Sequence, residues 1–183
     1  MQGLSRARAL GALAAIAAAA PLAVDAAKSA TREDPADVKL LNGLLDTANA
    51  GVALYNGAIT ANVLSPAVAV TIAQFAGDHA AHRDALIALI SSSGGQPVSS
   101  AAAAAAPTAA APTPPHSDAE LLPAALAFER QATGFYLSSI AAFKNRDFAK
   151  TAASILGVDA AHVALLAEAL RQNPAFPTNF VTA

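Results

Sequence analysis

The chain contains no cysteine and no tryptophan, and aromatic residues make up only 5% of its 183 residues. Without cysteine it has no disulfide, no thiolate metal ligand and no thiol nucleophile. Charged residues are also scarce, at 13%, and the formal net charge is −2. This near-neutral balance provides no basic surface, so we expect no nucleic-acid partner. Alanine and aliphatic residues dominate instead, a composition that favours closely packed helices.

The first 26 residues are typical of a secretory signal peptide. Arg6 and Arg8 precede an apolar run from about residue 9 to residue 20, and Pro21 and small residues follow. We expect cleavage near Ala26, and the apolar run is short for a membrane span, although an uncleaved anchor is the alternative. The protein is therefore predicted to be periplasmic or secreted, with no stable membrane span after cleavage. The sequence leaves the choice between the general and the twin-arginine export routes open.

Four helical segments are predicted within one domain, residues 27–183, at about residues 35–61, 66–92, 122–144 and 147–172. Asp34 and Ser65 are suitable N-terminal caps, and each is followed by a proline at the first helical position. Gly94 or Gly95 suits the C-terminal cap of the second helix. Pro123 delays the predicted start of the third helix, and Asp147 is the predicted cap of the fourth.

A low-complexity segment rich in alanine and proline, residues 94–118, separates the second and third helices. It suits either an interdomain linker or a crossover within one bundle. We favour the crossover, because two amphipathic helices on either side cannot bury both of their faces. His116 lies in this segment and is expected to be exposed and uninvolved.

The second helix carries two histidines on its apolar seam. The seam residues recur at alternating spacings of four and three: Val68, Ile72, Phe75, His79, His82, Leu86 and Leu89. Both imidazoles are thus predicted to face the core. The neighbouring charged residues, Asp78, Arg83 and Asp84, are predicted to face solvent.

Two other helices repeat this pattern. Asp159 and His162 lie at mid-seam of the fourth helix, and Glu129 interrupts the seam of the third. The first helix, whose seam runs from Val38 through Ala48 and Tyr55 to Ile59, has no ionisable group at mid-seam.

Five potential metal ligands therefore point inwards from three helices: His79, His82, Glu129, Asp159 and His162. Buried charges are normally paired or bound to metal, and imidazole with carboxylate suits first-row divalent metals. A metal-free polar network is the alternative, in which Glu129 pairs with a histidine and Asp159 with His162.

Four stretches resemble the exported bacterial ferritin-like domain proteins, a group that includes desiccation-related proteins. They are "LNGLLDTANAGVALYNGAI", "AGDHAAHRDALIALISSSGGQPV", "LAFERQATGFY" and "ILGVDAAHVALL". The resemblance covers roughly Asp37 to Asn173. It implies an all-α fold, a ferritin-like up-down four-helix bundle with a long crossover between its second and third helices.

The resemblance also implies a ligand pattern, from which this chain departs. Ferritin-like di-metal proteins take one Glu from each of helices one and three, and a Glu-x-x-His pair from each of helices two and four. Glu129, His82 and His162 match that pattern, and Asp159 is a shortened match. His79 replaces a Glu, however, and Ala48 stands at the position of the first-helix Glu. The loss of two carboxylates favours a single divalent ion or an asymmetric pair. The small residues around Ala48, in "ANAG", are expected to leave space beside the site.

Two functions follow as expectations. The first is an exported metal-binding protein with a degenerate core site for Fe, Mn, Zn or Cu, with redox activity as an option; Tyr55 and Tyr136 are candidate hydrogen-bond donors to the ligands. The second is a non-enzymatic structural or stress-protective protein, active in desiccation for example, that has lost metal binding. The sequence leaves enzymatic activity open, and a homo-oligomer is compatible with either function.

Overall fold

The computed structural model describes residues 33–99 and 115–172. These residues form four helices: α1 (Pro35–Ala61), α2 (Pro66–Ser92), α3 (Asp118–Ala142) and α4 (Arg146–Ala169). The predicted signal peptide and most of the predicted crossover lie outside the described residues.

The ends of α1 and α2 coincide with their predicted positions. Asp34 caps α1, because its Oδ1 accepts a hydrogen bond of 2.8 Å from the backbone N–H of Ala36. Gly94 ends α2 with a φ of +72°, a left-handed conformation that glycine adopts without strain. The N–H of Gly95 then donates to the carbonyl of Ile90 at 3.0 Å, which closes the helix in a Schellman motif. Ser65 precedes α2 in an extended conformation, but its side chain makes no capping hydrogen bond.

The boundaries of α3 and α4 differ from the predicted ones. Helix α3 begins at Asp118, one turn before the predicted Leu122, because Ser117 caps it and Pro123 is accommodated inside the helix. Helix α4 is capped by Asn145, whose Oδ1 accepts from the N–H of Asp147, so Asp147 is a first-turn residue rather than the cap. Its predicted end at residue 172 was three residues too late.

The helices pair as two hairpins, α1 with α2 and α3 with α4. The N–H of Ser65, before α2, donates to Oδ1 of Asp118 at the start of α3, so α2 and α3 begin at the same end of the bundle. At the opposite end, the buried carboxylate of Asp37 in α1 accepts from the N–H groups of Lys144 and Asn145, which follow α3. The end of α2 and the start of α3 therefore lie at opposite ends of the bundle, about 40 Å apart for a helix of 27 residues. The described helices form the predicted four-helix bundle.

The first residues of the crossover pack against the bundle. The N–H of Val98 donates to Oδ1 of Asn42 at 2.8 Å, and Nδ2 of Asn42 donates to the carbonyl of Gln96 at 3.2 Å. Val98 also packs against the core. Further along, His116 is exposed, as predicted.

The apolar core consists of two clusters that lie at opposite ends of the bundle. One surrounds Leu45 and Tyr136, and the other surrounds Ile72 and Leu126. On α2, α3 and α4, the polar mid-seam residues fall between these two clusters. The predicted seams are buried or partly buried, except that Ile59 near the end of α1 is 38% exposed and Ala58 takes its place inside. An α-helix has 3.6 residues per turn, so a seam read at 3.5 drifts out of register over several turns.

Within the described ranges, α4 is the one helix that is long and apolar enough to cross a membrane. Length and composition alone are weak evidence for a span. The buried face of α4 packs against α3 and carries Asp159 and His162, as a core helix of a bundle would.

Candidate metal centre

All five predicted ligands are buried at mid-helix, between the two apolar clusters. Their exposed fractions are small: His79 0%, Glu129 0%, Asp159 0%, His162 3% and His82 8%. The helical seams therefore point these polar side chains into the core, as the sequence pattern predicted.

Four of these five residues converge on one point. Each of His79, Glu129, Asp159 and His162 offers one nitrogen or oxygen atom, and these four atoms lie within 4.8 Å of one another. Bonds from a transition metal to imidazole nitrogen or carboxylate oxygen are about 2.0–2.2 Å long, so a small inward movement would bring all four atoms to one ion. His82 does not belong to this group, and its Nδ1 lies 3.5 Å from Oδ1 of Asp159.

Glu129 is the hub of the site. Its Oε1 accepts a 2.5 Å hydrogen bond from the hydroxyl of Tyr55 in α1. The same oxygen lies 3.0 Å from Nε2 of His79 and 3.2 Å from Nδ1 of His162. This single carboxylate oxygen thus joins all four helices.

Within the described part of the chain, five other polar atoms of the site lack a hydrogen bond. Both carboxylate oxygens of Asp159, Oε2 of Glu129, and Nδ1 of His79 and of His82 are buried without a hydrogen bond to any described residue. A buried polar atom without a partner is rare and costly, and a buried carboxylate is more costly still. The residue types and their unpaired oxygens therefore fit a bound cation.

The two carboxylates differ in their electrostatics. Burial acts to raise the pKa of Glu129, but hydrogen bonds from His162 and His79 outweigh it and hold that pKa below its usual value. Burial, reinforced by the charge of Glu129, raises the pKa of Asp159. Glu129 is thus the stable anion of the pair, and Asp159 is the one that a cation would stabilise most.

His162 and His82 also differ in their pKa values. Burial acts to lower the pKa of His162, but hydrogen bonds to Asp78 and Glu129 raise it to about 9. At neutral pH both of its ring nitrogens therefore carry protons. Burial, together with the charges of His79 and His162, lowers the pKa of His82 to about 4, so that ring is neutral. A metal ion that binds His162 must take the place of one proton.

Asp78 is part of the site, contrary to the sequence-based expectation that it faces solvent. Its side chain is 12% exposed, and its Oδ2 lies 3.2 Å from Nε2 of His162. Gln74, one turn earlier in α2, donates to the other oxygen of Asp78 at 3.1 Å. Asp78 thereby orients the ring so that Nδ1 faces Glu129, the role that a carboxylate often plays behind a metal-binding histidine. Asp78 precedes His79 in sequence, and its side chain lies on the side of the α2 seam that faces α4. The apolar pattern of α2 alone does not show which of its sides faces α4.

The two tyrosines of the seams have different partners. Tyr55 donates to Glu129, as expected, and its ring stacks on that of His79 with centroids 5.5 Å apart. Burial, reinforced by Glu129, raises the pKa of Tyr55, so its hydroxyl keeps its proton. Tyr136 instead donates to the carbonyl of Leu44 at 3.4 Å and contacts none of the ligands through this bond.

The small residues of α1 do not leave space at Gly51, because the ring of His79 fills it. A methyl group on Gly51 would lie 2.6 Å from Cγ and Nδ1 of that ring. The imidazole of His79 thus packs directly on the backbone of α1 at Gly51. Gly51 lies three residues after Ala48, which is fully buried.

We expect Gly51→Ala to destabilise the metal-free protein by about 1–3 kcal/mol, because the new methyl group overpacks His79. Gly57→Ala in the same helix is the matched control. A methyl group there meets nothing within 4 Å, so the better helix propensity of alanine should stabilise the fold by up to about 1 kcal/mol. Urea unfolding with a chelator present measures both variants. Equal stabilities would contradict the tight contact.

We expect Asp78→Asn to weaken metal binding by about 10–100-fold, because the charged partner that orients His162 is lost. Asp84→Asn is the control, since Asp84 is 66% exposed and pairs with Arg83 on the surface. A competition titration against a chromophoric chelator measures both affinities. An unchanged affinity in Asp78→Asn would show that the hydrogen bond to His162 does not support binding.

Comparisons with known proteins agree with this architecture. The chain is similar to a crystal structure of a conserved hypothetical protein, rv2844, from Mycobacterium tuberculosis, with a TM-score of 0.59 and 22% sequence identity. The match covers 79% of this chain and 99% of the other, and at this identity it shows the fold alone. No curated protein matched the chain. Residues 36–172, which include every residue of the candidate site and all four helices except the first residue of α1, match the family described as "Ferritin-like domain". The protein therefore belongs to the ferritin-like domain family.

Proposed function

We propose that the protein binds a divalent transition-metal ion in the bundle core, through His79, Glu129, Asp159 and His162. The observation that carries this proposal is the carboxylate of Asp159. Both of its oxygens are buried without a hydrogen bond to a described residue, although Nδ1 of His82 lies 3.5 Å from Oδ1. One of these oxygens lies within 4.8 Å of the ligand atoms of two imidazoles and a second carboxylate. A cation at that point would compensate both carboxylates at once.

The side chains have separate roles in this proposal. Glu129 and Asp159 supply the negative charge, and His79 and His162 supply nitrogen ligands, a set that suits Fe, Mn, Zn or Cu. Tyr55 and Asp78 orient the ligands from outside. An ion bound here would supply Lewis acidity, and iron, manganese or copper would add redox chemistry.

The apolar surroundings favour tight and selective binding. The ring of Phe75 stacks on that of His162 with centroids 3.9 Å apart, and the two core clusters close the site at both ends. Low exposure limits competition from water, so the charges of the ligands act on the ion at a low effective dielectric constant.

A structural or stress-protective protein without metal is the second candidate. It is favoured by the three contacts to Oε1 of Glu129, which already give this carboxylate a polar network without any ion. The two candidates differ at Asp159, because the network leaves that carboxylate without a hydrogen bond. A metal-free structural role predicts that leucine at position 159 leaves the protein as stable or more stable.

Metal-dependent stabilisation tests the proposed function. At a free metal concentration of 100 times Kd, binding should stabilise the native state by about 2.7 kcal/mol, which raises the thermal midpoint by roughly 5–10 °C. Glu129→Gln should lose most of this shift, because a neutral amide is a poor ligand. Glu168→Gln, an exposed position on α4, should keep it. Scanning calorimetry with and without Fe, Mn, Zn or Cu measures the shift. No shift in the unmodified protein with any of these metals would favour the structural candidate.

We also propose that the protein is exported to the periplasm or secreted, after cleavage near Ala26. The arginines and the apolar run of residues 1–26 support this proposal. Expression of the full chain in a Gram-negative host, followed by mass measurement of the periplasmic protein, should give the mass of residues 27–183. Recovery of the full-length mass from the cytoplasm would contradict export.

A further inference from the structure

Helix α1 contributes no ligand that could hold a second ion beside the first. Two-metal centres in ferritin-like proteins use a carboxylate from each of the four helices, together with two histidines. Here the α1 position is Ala48, which is fully buried and offers only a methyl group. Tyr55 of α1 bonds to this group of ligands, and its hydroxyl is engaged with Glu129.

The packing of His79 closes the side of the centre that faces α1. Its ring packs against the backbone of α1 at Gly51, with no room for a methyl group between them. From there Nε2 points at Oε1 of Glu129, so the ring serves the same point as His162 and Asp159. A residue at a usual carboxylate position of α2 thus becomes a nitrogen ligand for one shared ion.

His82 is the one predicted ligand left over. It lies outside the group of four, and its Nδ1 is 3.5 Å from Oδ1 of Asp159. Its ring stands edge-on to that of His79, with centroids 5.6 Å apart. A second ion near His82 would have one imidazole of its own and would have to share Asp159. Glu129, whose Oε2 has no hydrogen bond to a described residue, would also be shared with the first ion. The second ion would thus have one unshared protein ligand, whereas even a metal site with an open position uses three.

The buried charge also limits the site to one ion. Glu129 and Asp159 are both 0% exposed, and together they balance one divalent ion. A second divalent ion would leave uncompensated positive charge among side chains that are at most 8% exposed, which is strongly unfavourable. Asp78 adds one further carboxylate at the outer edge of the site, where it binds Nε2 of His162 and Gln74, but three negative charges still do not balance the four positive charges of two divalent ions.

We infer that the site holds one divalent ion rather than two. The inference rests on the proposed metal binding, and it adds the number of ions and the identity of the residue that is excluded. His82 lies beside the ion and does not bind it. The centre consequently has no second metal ion. It therefore lacks the partner that is needed for reactions in which two adjacent ions share the transferred electrons.

Two measurements together test this inference: the metal content per chain and the electron paramagnetic resonance spectrum. The chain without its first 26 residues is freed of metal, loaded with excess Mn²⁺ or Zn²⁺, desalted and analysed for metal per chain. Two conservative variants form a matched pair, His82→Gln and His162→Gln. We expect about one ion per chain in the unmodified protein and in His82→Gln, and an affinity at least 10-fold weaker in His162→Gln. The Mn²⁺ form should give the six-line spectrum of an isolated ion. Circular dichroism confirms that each variant is folded.

The alternative outcomes are distinguishable. Two ions per chain, a spectrum of exchange-coupled Mn²⁺, or loss of an ion in His82→Gln would overturn the single-ion inference and leave metal binding intact. No metal in the unmodified protein would overturn the proposed function, and the inference with it.

Discussion

The buried carboxylate of Glu129 is the interaction on which the rest of the centre depends. Its Oε1 contacts Tyr55 of α1, His79 of α2 and His162 of α4, so one oxygen of α3 links the whole bundle at mid-height. Such a group is affordable in a core only because each contact offers a donor to its negative charge. The same contacts aim two imidazoles at one point, and the carboxylate of Asp159, which makes no hydrogen bond to a described residue, lies against that point.

Two departures from the usual ferritin-like ligand pattern change the site. An imidazole at position 79 needs more room towards α1 than a carboxylate would, and Gly51 provides it. The methyl group of Ala48 removes a charge that would otherwise lie among the ligands. These changes reduce the negative charge of the site and leave a smaller ligand set. The fold is thus retained while the capacity of the centre changes.

The sequence predicts the fold and most of the site, because helical periodicity determines which residues face inwards. It places His79, Glu129, Asp159 and His162 in the core without any knowledge of the packing. It does not place Asp78, whose contact with His162 depends on how α2 and α4 face each other. It also cannot separate His82 from the four converging residues, since both histidines of α2 lie on one seam. The predicted start of α3 was wrong because of Pro123. A proline in the second turn costs a hydrogen bond but does not stop a helix that is capped by Ser117.

An anomalous difference map from crystals of the metal-loaded protein tests the central claim most directly. Data collected at the absorption edge of the bound metal should show one peak per chain, in contact with His79, Glu129, Asp159 and His162, and none adjoining His82. Two peaks within about 4 Å of each other would show a two-metal centre. A map without a peak in the bundle core would contradict metal binding itself.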